Sequence, residues 1–284
     1  MTNQAWLIST AIQQAVQQLT NSANDCNPKL EAEILLCHSL RVNRAYLLTW
    51  PEKALTETQV AEFFALVERR QAGEPIAYLL GYKEFWGLAL QVSPATLIPR
   101  ADTETLIEIA LQKLAQYPKP QILDMGTGSG AIALALASER PDAKITAIDA
   151  SPAALAVAQA NGLAHQLKIN WLLSDWFSQL EGQKFDCIVS NPPYIEQQDL
   201  HLTQGDLRFE PDSALSSGSD GLDDLRLIIC QAPSYLNQQA WLFVEHGYNQ
   251  ADAVKQLFRQ AGFQSITCQV DLAGHPRVSY GQTP

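Results

Sequence analysis

The sequence predicts an α/β protein: a small all-α domain and a β-hairpin connector, followed by a mostly parallel, seven-stranded sheet with an antiparallel strand at its edge. Three observations predict this class. Apolar strand-like segments alternate with helical ones beyond residue 120, a glycine-rich turn follows the first of these strands, and residues before 80 show only helical spacing. We therefore expect a helical domain at 1–80, a connector at 81–99 and an α/β domain at 100–284.

The front of the chain has the apolar spacing of about four short helices within residues 1–72. An apolar stripe covers residues 8–19, and the polar run 20–27 ends it. Pro28 opens a second helix, since proline suits a first helical turn. Thr56 and Gln59 have the spacing of a capping box at the start of another helix.

Composition changes after residue 80. The run Phe85-Trp-Gly-Leu-Ala-Leu-Gln-Val92 predicts a short hairpin with Gly87 near its turn. Beyond it, the predicted strands are 121–125, 144–149, 169–173, 185–190, 240–245, 265–270 and 277–280, and the predicted helices are 129–139, 151–161, 222–236 and 249–261. Strands alternating with helices imply right-handed crossovers and helices on both faces of the sheet. The last two strands have no helix between them, so we expect them to pair antiparallel at one edge.

Charge and composition exclude several classes of protein. The chain has 19 Lys and Arg against 30 Asp and Glu, a net charge of −11, which disfavours nucleic acid or anionic membrane as a partner and favours a basic one. The five cysteines form no C-x-x-C pair, which is typical of a reducing compartment, and the scattered histidines predict no metal site. With no signal segment and no long apolar run, we expect a cytoplasmic protein.

Polar or aromatic residues follow four predicted strands at their carboxyl ends, where ligands bind in open parallel sheets. The first strand leads into Asp124-Met-Gly-Thr-Gly-Ser-Gly130, whose spacing differs from the dinucleotide G-x-G-x-x-G and resembles the first motif of S-adenosylmethionine-dependent methyltransferases. Glycines also allow close strand–helix packing, which is the structural alternative. Asp149 lies about 20 residues further on, where an acid binds ribose hydroxyls. The alternative for Asp149 is a helix cap, but Ser151 suits that position better.

The third and fourth strand ends add aromatic surfaces. Asp175 is placed to accept a hydrogen bond from an adenine amino group, and Trp176 to supply an apolar wall; a solvated acid beside a core tryptophan is the alternative. The fourth strand ends in Asn191-Pro192-Pro193-Tyr194. Two prolines donate no backbone hydrogen bond, so they end the ladder in an extended turn.

This turn suits methylation of a planar NH₂ group, which is a poor nucleophile and needs an acceptor for each N–H to be held in line with a methyl sulfonium. Asn191 offers a side-chain carbonyl and Pro192 a backbone carbonyl. Tyr194 offers a flat face that tolerates the nearby positive charge. A rigid Pro-Pro loop with an exposed tyrosine is the structural alternative.

Over essentially its whole length the chain resembles the release factor glutamine methyltransferases, also called protein-(glutamine-N5) methyltransferases. The motifs that carry this resemblance are Glu74-Pro-Ile-Ala-Tyr-Leu-Leu-Gly81, Phe85-Trp-Gly87, Ile98-Pro-Arg-Ala-Asp-Thr-Glu104, Leu123-Asp-Met-Gly-Thr-Gly-Ser-Gly130, Ser174-Asp-Trp-Phe177, Ser190-Asn-Pro-Pro-Tyr-Ile195, Arg208-Phe-Glu-Pro211 and Val244-Glu-His-Gly247. It implies a Rossmann-like methyltransferase domain and methyl transfer from S-adenosyl-L-methionine, with S-adenosyl-L-homocysteine as product. The implied substrate is the Gly-Gly-Gln glutamine of class 1 peptide chain release factors.

The resemblance also implies roles for individual residues. The methionine part of the cofactor would contact the turn formed by Gly126, Thr127, Gly128, Ser129 and Gly130. Asp149 would bind ribose, Trp176 would border the adenine, and Asn191 would touch both cofactor and glutamine. Pro192, Pro193 and Tyr194 would bind the substrate glutamine, with Pro192 and Tyr194 clamping its amide. Ala101 stands where the family pattern has proline, which loosens the loop that carries Arg100 and Asp102.

Other functions share parts of this pattern. DNA adenine-N6 methyltransferases use the same four-residue motif, but they need a cationic track that this acidic chain lacks. A glutamine methyltransferase of a ribosomal protein shares motif and architecture, and a silent cofactor-binding module is a further alternative. A nicotinamide oxidoreductase is disfavoured by the glycine spacing. The helical front domain either holds the protein substrate or packs as a lid, and we expect a monomer.

Overall fold

The computed structural model describes residues 6–20 and 27–284. The chain divides into two compact units, Met1–Gly81 with Thr203–Phe209, and Tyr82–Leu202 with Glu210–Pro284. The predicted domain boundary at residue 80 does not account for the segment Thr203–Phe209. This segment lies far along the chain but groups with the helices. Cys26 and most of the polar run predicted at 20–27 lie outside the described residues.

The described residues up to Gly81 are mainly helical, as predicted. They form α1 Ile8–Thr20, α2 Pro28–Leu40, α3 Arg44–Thr49, α4 Glu57–Gln71 and α5 Ile76–Leu80. The capping box at α4 is confirmed, because the Thr56 side chain accepts from the Gln59 amide and the Gln59 side chain accepts from the Thr56 amide. Apolar faces of α1, α2 and α4 meet in one core around Ala11, Leu35 and Phe63.

Arg70 fastens the segment Thr203–Phe209 to this helical unit. The guanidinium is buried and bonds Glu31 of α2 at 2.9 and 3.0 Å, and its Nη1 bonds Asp206 of the segment at 2.9 Å. A buried arginine needs such carboxylate partners, because an uncompensated charge away from water is costly. Arg208 adds a hydrogen bond of 2.7 Å to the carbonyl of Ala72.

The second unit opens with the predicted hairpin. Strands β1 Tyr82–Phe85 and β2 Leu88–Gln91 pair antiparallel, and the turn residues Trp86 and Gly87 have φ of 53° and 71°. Positive φ at both central residues matches the twist of the flanking strands. The remaining strands are β3 Gln121–Met125, β4 Lys144–Asp149, β5 Asn170–Leu173, β6 Phe185–Ser190, β7 Leu236–Glu245, β8 Gln264–Val270 and β9 Pro276–Gln282.

These seven strands form one sheet in the order β5-β4-β3-β6-β7-β9-β8. Strand β9 runs antiparallel to β7 and β8, so the predicted antiparallel pairing at one edge is confirmed, with β8 outermost. Order reverses between β3 and β6, because β4 lies on one side of β3 and β6 on the other. In open α/β sheets this switch point is where ligands bind.

Five helices accompany the sheet: α6 Glu104–Leu114, α7 Ala131–Glu139, α8 Pro152–Ala164, α9 Asp223–Gln231 and α10 Ala251–Gln260. Alternate strand residues enter different cores, so Ile122 packs with α6 and α7 while Leu123 packs with α9 and α10. The sheet is therefore buried on both faces, which explains its nearly continuous apolar strands.

The helices differ from the predictions in two ways. The sequence analysis predicted neither α5 nor α6. It also extended one helix from 222 to 236, whereas α9 ends at Gln231, a short 3₁₀ turn follows at Ala232–Ser234, and β7 begins at Leu236. Pro233 explains this early end, because it has no N–H for the helical ladder. None of the helices in the described part of the chain is long and apolar enough to cross a membrane.

Candidate active site

The register of the strands places the glycine turn and the Asn191 turn side by side. Met125, the last residue of β3, pairs with Ser190, the last residue of β6, and the Ser190 hydroxyl donates to the Met125 carbonyl at 2.9 Å. The glycine turn and the Asn191 turn therefore leave the sheet from adjacent positions at its switch point. Ser190 also pairs with Val244 of β7, so Glu245 emerges beside Asn191 on the other side.

A cavity of about 280 Å³ lies at this edge of the sheet. The predicted site residues that line it are Gly126, Thr127, Gly128, Ser129, Asp149, Asp175, Trp176, Asn191 and Pro193. Gly130, Pro192 and Tyr194 do not line it. Predicted residues from four strand ends therefore surround one concavity, which is the usual form of a small-molecule site.

Asp124, which is fully buried, fixes the glycine turn from its protein-facing side. One carboxylate oxygen accepts from the Thr127 hydroxyl at 2.6 Å and the Ala133 amide at 3.1 Å, while Oδ1 has no hydrogen-bond partner among the described residues. Burial raises the pKa of Asp124 from 3.8 to about 7. Above it, a Cβ added to Gly128 would meet no atom within 4 Å, so a ligand can approach this backbone closely.

Asp149 ends β4 and is held by the backbone. Its Oδ2 accepts from the Gly128 amide at 2.8 Å and its Oδ1 from the Ser151 amide at 2.9 Å. Ser151 is the cap of α8, since its side chain accepts from the Ala154 amide, so Asp149 is not needed for capping. Burial raises the pKa of Asp149 above 3.8, and the amide bonds oppose that rise. Each carboxylate oxygen keeps a lone pair for a ligand hydroxyl.

Trp176 forms a wall over the glycine turn. A Cβ added to Gly126 would lie 3.6 Å from the indole ring. The indole N–H donates to Asp224 at 3.0 Å, and Asp224 in turn accepts from the Ser217 hydroxyl at 2.6 Å. Trp176 has φ of 45°, a left-handed conformation that is strained for a large side chain and is typical of functional sites. Asp175, in contrast, is exposed.

The Asn191 turn is fixed by side chains from several elements. The Asn191 Nδ2 donates to the Thr103 hydroxyl at 3.1 Å, and the Tyr194 hydroxyl donates to Glu245 at 3.2 Å. The Tyr194 carbonyl accepts from Gln250 at 3.0 Å. Pro192 is buried. This turn is therefore a rigid feature whose polar groups are oriented before any ligand arrives.

Glu245 is a site residue that sequence reasoning missed. It is fully buried, and burial raises its pKa from 4.5 to about 7. Burial and the nearby Glu245 charge raise the pKa of the Tyr194 phenol well above 10, so this hydroxyl stays protonated and acts as a donor. The signal was available, because Glu245 ends a predicted strand and the rule for strand ends applies to it as to the other four.

Two further walls were also missed. Most residues of the segments 95–100 and 211–214 line the cavity, the exceptions being Ile98 and Asp212. The segments come together through Glu210, which accepts from the Ile98 amide at 3.0 Å and pairs with Arg100. Neither segment has strand or helix periodicity that would place it. Asp102 lies in the short 3₁₀ turn Ala101–Thr103 and forms an ion pair with Arg277 at 3.4 Å.

Chemically, the cavity offers a carboxylate for vicinal hydroxyls, an indole wall for a planar ring, and oriented acceptors at Asn191. No cluster of His, Cys, Asp and Glu within residues 6–20 and 27–284 is arranged to hold a metal ion. The high pKa of Tyr194 keeps its hydroxyl protonated, so this group suits positioning of a polar group more than proton abstraction.

Known families and proteins match nearly all of this chain. Residues 10–81 match the family model of the PrmC N-terminal domain, and residues 101–209 match that of the methyltransferase small domain. A release factor glutamine methyltransferase of Vibrio cholerae is 50% identical over 279 residues, covering 97% of this chain and 96% of that protein. The Escherichia coli protein of the same name is 48% identical over 283 residues, covering 99% of each chain.

A solved structure shares the fold at low identity. The Thermus thermophilus 16S rRNA N2 G1207 methyltransferase, in complex with AdoMet and guanosine, aligns with a TM-score of 0.53 and 20% identity. The alignment covers 72% of this chain and 50% of that one. At this identity the likeness shows the fold alone, and it agrees with the Rossmann-like sheet described above.

Proposed function

This chain belongs to the release factor glutamine methyltransferase family, and we propose that it transfers a methyl group from S-adenosyl-L-methionine to the side-chain amide nitrogen of the Gly-Gly-Gln glutamine in class 1 peptide chain release factors. One observation carries the proposal: the Asn-Pro-Pro-Tyr turn leaves the sheet in register with the glycine turn, at the topological switch point. That juxtaposition brings an amide-binding turn beside a nucleoside-binding one.

The residues of the cavity fit the cofactor. Asp149 has lone pairs for the ribose hydroxyls, Trp176 forms a flat wall for adenine, and the open space over Gly128 admits the methionine part against backbone amides. Asp175 is proposed to accept from the adenine amino group. When bound, S-adenosyl-L-methionine supplies an electrophilic methyl group on a sulfonium sulfur and leaves as S-adenosyl-L-homocysteine. No metal is part of this proposal.

The protein's own residues are proposed to position the glutamine amide. Asn191 Oδ1 and the Pro192 carbonyl are proposed to accept the two N–H bonds, which turns the nitrogen toward the methyl group. Tyr194 and Pro193 are proposed to restrict the orientation of the substrate amide plane. The nitrogen–carbon bond forms as the carbon–sulfur bond breaks, and the nitrogen then loses one proton to water. Because the proton leaves after the methyl arrives, no strong base is required, in agreement with the protonated Tyr194.

The helical unit is proposed to contact the release factor outside the cavity, since a glutamine in a protein loop needs contacts beyond its side chain; a packing role is the alternative. The acidic charge of −11 favours a basic partner over nucleic acid. Cytoplasmic location and the monomeric state remain predictions.

A methyl-transfer assay with labelled S-adenosyl-L-methionine tests the function. We expect label on unmethylated class 1 release factor and none on the factor with its Gly-Gly-Gln glutamine replaced. Asn191→Ala is expected to lower kcat by about 10²- to 10³-fold, because a transition-state acceptor is lost. Asn170→Ala, the same change at the exposed start of β5, is the matched control and is expected to leave the rate unchanged.

Ribosomal protein and duplex DNA are assayed in parallel. Label on a ribosomal protein or on DNA in place of the release factor would keep the fold and the cofactor but refute the proposed substrate. Absence of label on all substrates, together with tight cofactor binding, would favour a silent binding module.

A further inference from the structure

A chain of hydrogen bonds runs from the Asn191 turn to the buried end of β7. Asn191 Nδ2 lies 3.1 Å from the Thr103 hydroxyl, and that hydroxyl lies 2.7 Å from Glu245 Oε2. The other oxygen of Glu245 accepts from the Tyr194 hydroxyl at 3.2 Å. Two ends of the same catalytic turn are thus tied to one buried carboxylate.

The direction of these bonds follows from the chemistry of the groups. An ionised carboxylate accepts hydrogen bonds and donates none, so above the Glu245 pKa of about 7 the single hydroxyl proton of Thr103 goes to Glu245. The Thr103 oxygen then has only lone pairs left for Asn191. It must face the NH₂ side of the carboxamide, and the Asn191 carbonyl oxygen must point the other way.

We propose that Thr103 and Glu245 are positioning residues that fix the carboxamide orientation of Asn191, so that its carbonyl oxygen is presented to the substrate amide. This inference rests on the proposed function and deepens it. An asparagine without such a partner can rotate by 180° and present its NH₂ group, which repels a substrate NH₂. The relay removes that non-productive orientation before substrate binds.

The surroundings hold Glu245 in place. Glu245 lies on β7 and pairs in register with Val278 of β9. On its other side, β7 pairs with β6, the strand that leads into Asn191. The charge of Arg277 favours the ionised form of Glu245, while the Arg277 side chain itself pairs with Asp102 at 3.4 Å and Asp271 at 3.3 Å. A carboxylate at a strand end is more rigid than one on a loop, as positioning demands.

Thr103→Val tests the relay, because valine keeps the shape of threonine and removes the hydroxyl. We expect kcat to fall by about 10- to 100-fold, as for loss of one preorganised polar contact, with the KM for S-adenosyl-L-methionine changed by less than about threefold. Thr103→Ser restores the hydroxyl and is expected to recover most of the rate. Thr105→Val on α6 is the matched control. Cofactor-binding stoichiometry by calorimetry confirms that each variant is folded.

A second readout does not depend on activity. In the wild-type protein the Asn191 side-chain NH₂ protons are expected to exchange slowly with solvent by NMR, and in Thr103→Val they are expected to exchange faster. If Thr103→Val does not bind cofactor stoichiometrically, Thr103→Ala replaces it, since alanine also removes the hydroxyl and places no branched side chain there.

The outcomes separate the two proposals. An inactive wild-type protein with slow Asn191 exchange would refute the proposed function and keep the relay. An active wild-type protein, with Thr103→Val or Thr103→Ala equal to it in kcat and exchange, would overturn the relay. Loss of kcat that serine does not recover would assign Thr103 a packing role and would also overturn it.

Discussion

Buried polar residues, and not exposed ones, define the geometry of this site. Asp124, Thr103 and Glu245 are all buried, and each orients a backbone turn or a neighbouring side chain. Burial makes such groups costly unless they are hydrogen-bonded, so buried polar side chains beside the cavity signal function more strongly than a surface acid would. These buried polar groups therefore lower the stability of the fold, and they orient the site before a ligand binds.

Replacement of Asp149 by Asn is expected to weaken cofactor binding by about 10- to 100-fold. Asparagine keeps one acceptor oxygen, loses the charge, and places an NH₂ group against an amide donor of Gly128 or Ser151. Hydrogen bonds to a charged group contribute about 1.5–3 kcal/mol, which corresponds to that factor. Isothermal titration with S-adenosyl-L-methionine measures it, with the exposed Asp252→Asn as control. An unchanged Kd would refute the ribose-binding role.

Glu245 is expected to make stability fall as pH rises. Its folded pKa of about 7 exceeds the ordinary 4.5, so the folded state binds more protons than the unfolded state between these values. Its contribution is therefore fully present below about pH 4.5 and lost through pH 7. Asp124 acts in the same direction, whereas the lowered pKa of buried His246 acts in the opposite one.

Comparison with Glu245→Gln isolates this group. The unfolding free energy of the variant relative to wild type is expected to rise by about 3 kcal/mol from pH 4.5 to pH 8, as measured by urea unfolding at each pH. A constant difference across this range would show that Glu245 has an ordinary pKa in the folded protein.

At the scale of elements, sequence patterns located most of the sheet but not all of its supports. Strands β3, β4 and β6 were predicted to the residue, because buried parallel strands are short apolar runs between polar ends. Helix α6 was missed although it is amphipathic. The walls at 95–100 and 211–214 follow from long-range contacts such as Glu210 with Arg100, which no local pattern encodes.

Asn161 of α8 links two elements to the cofactor turn. Its Oδ1 accepts from the Gln91 amide of β2 at 2.7 Å, and its Nδ2 donates to the Gln91 carbonyl at 3.0 Å and the Ser129 carbonyl at 2.9 Å. Asn161→Ala leaves these buried backbone groups without that partner. We expect a loss of about 1–3 kcal/mol in stability and a several-fold higher KM for the cofactor.

Thermal unfolding and steady-state kinetics measure these effects. Gln91→Ala is the control, because it removes only an exposed side chain and keeps the backbone groups that Asn161 bonds. Equal melting temperatures for Asn161→Ala and Gln91→Ala would show that the link contributes little.

At the scale of the whole molecule, the path of the chain is the feature that local patterns could not reveal. Segment Thr203–Phe209 follows the strand that delivers Asn191, yet it groups with helices formed more than a hundred residues earlier. The ion pair of Arg70 with Asp206 and the bond from Arg208 to the Ala72 carbonyl help to hold it there. Loss of such contacts favours local opening of the segment.

Asp206→Ala is therefore expected to speed tryptic cleavage after Arg208 several-fold, with the rest of the protein still folded. Arg70 keeps Glu31 as a partner in this variant, so its buried charge stays compensated. Limited proteolysis followed by mass spectrometry gives the rate of this one cut. Asp199→Ala, a few residues upstream in an exposed pair with His201, is the control and is expected to match wild type. Equal cleavage of all three proteins would show that Asp206 does not fasten the segment.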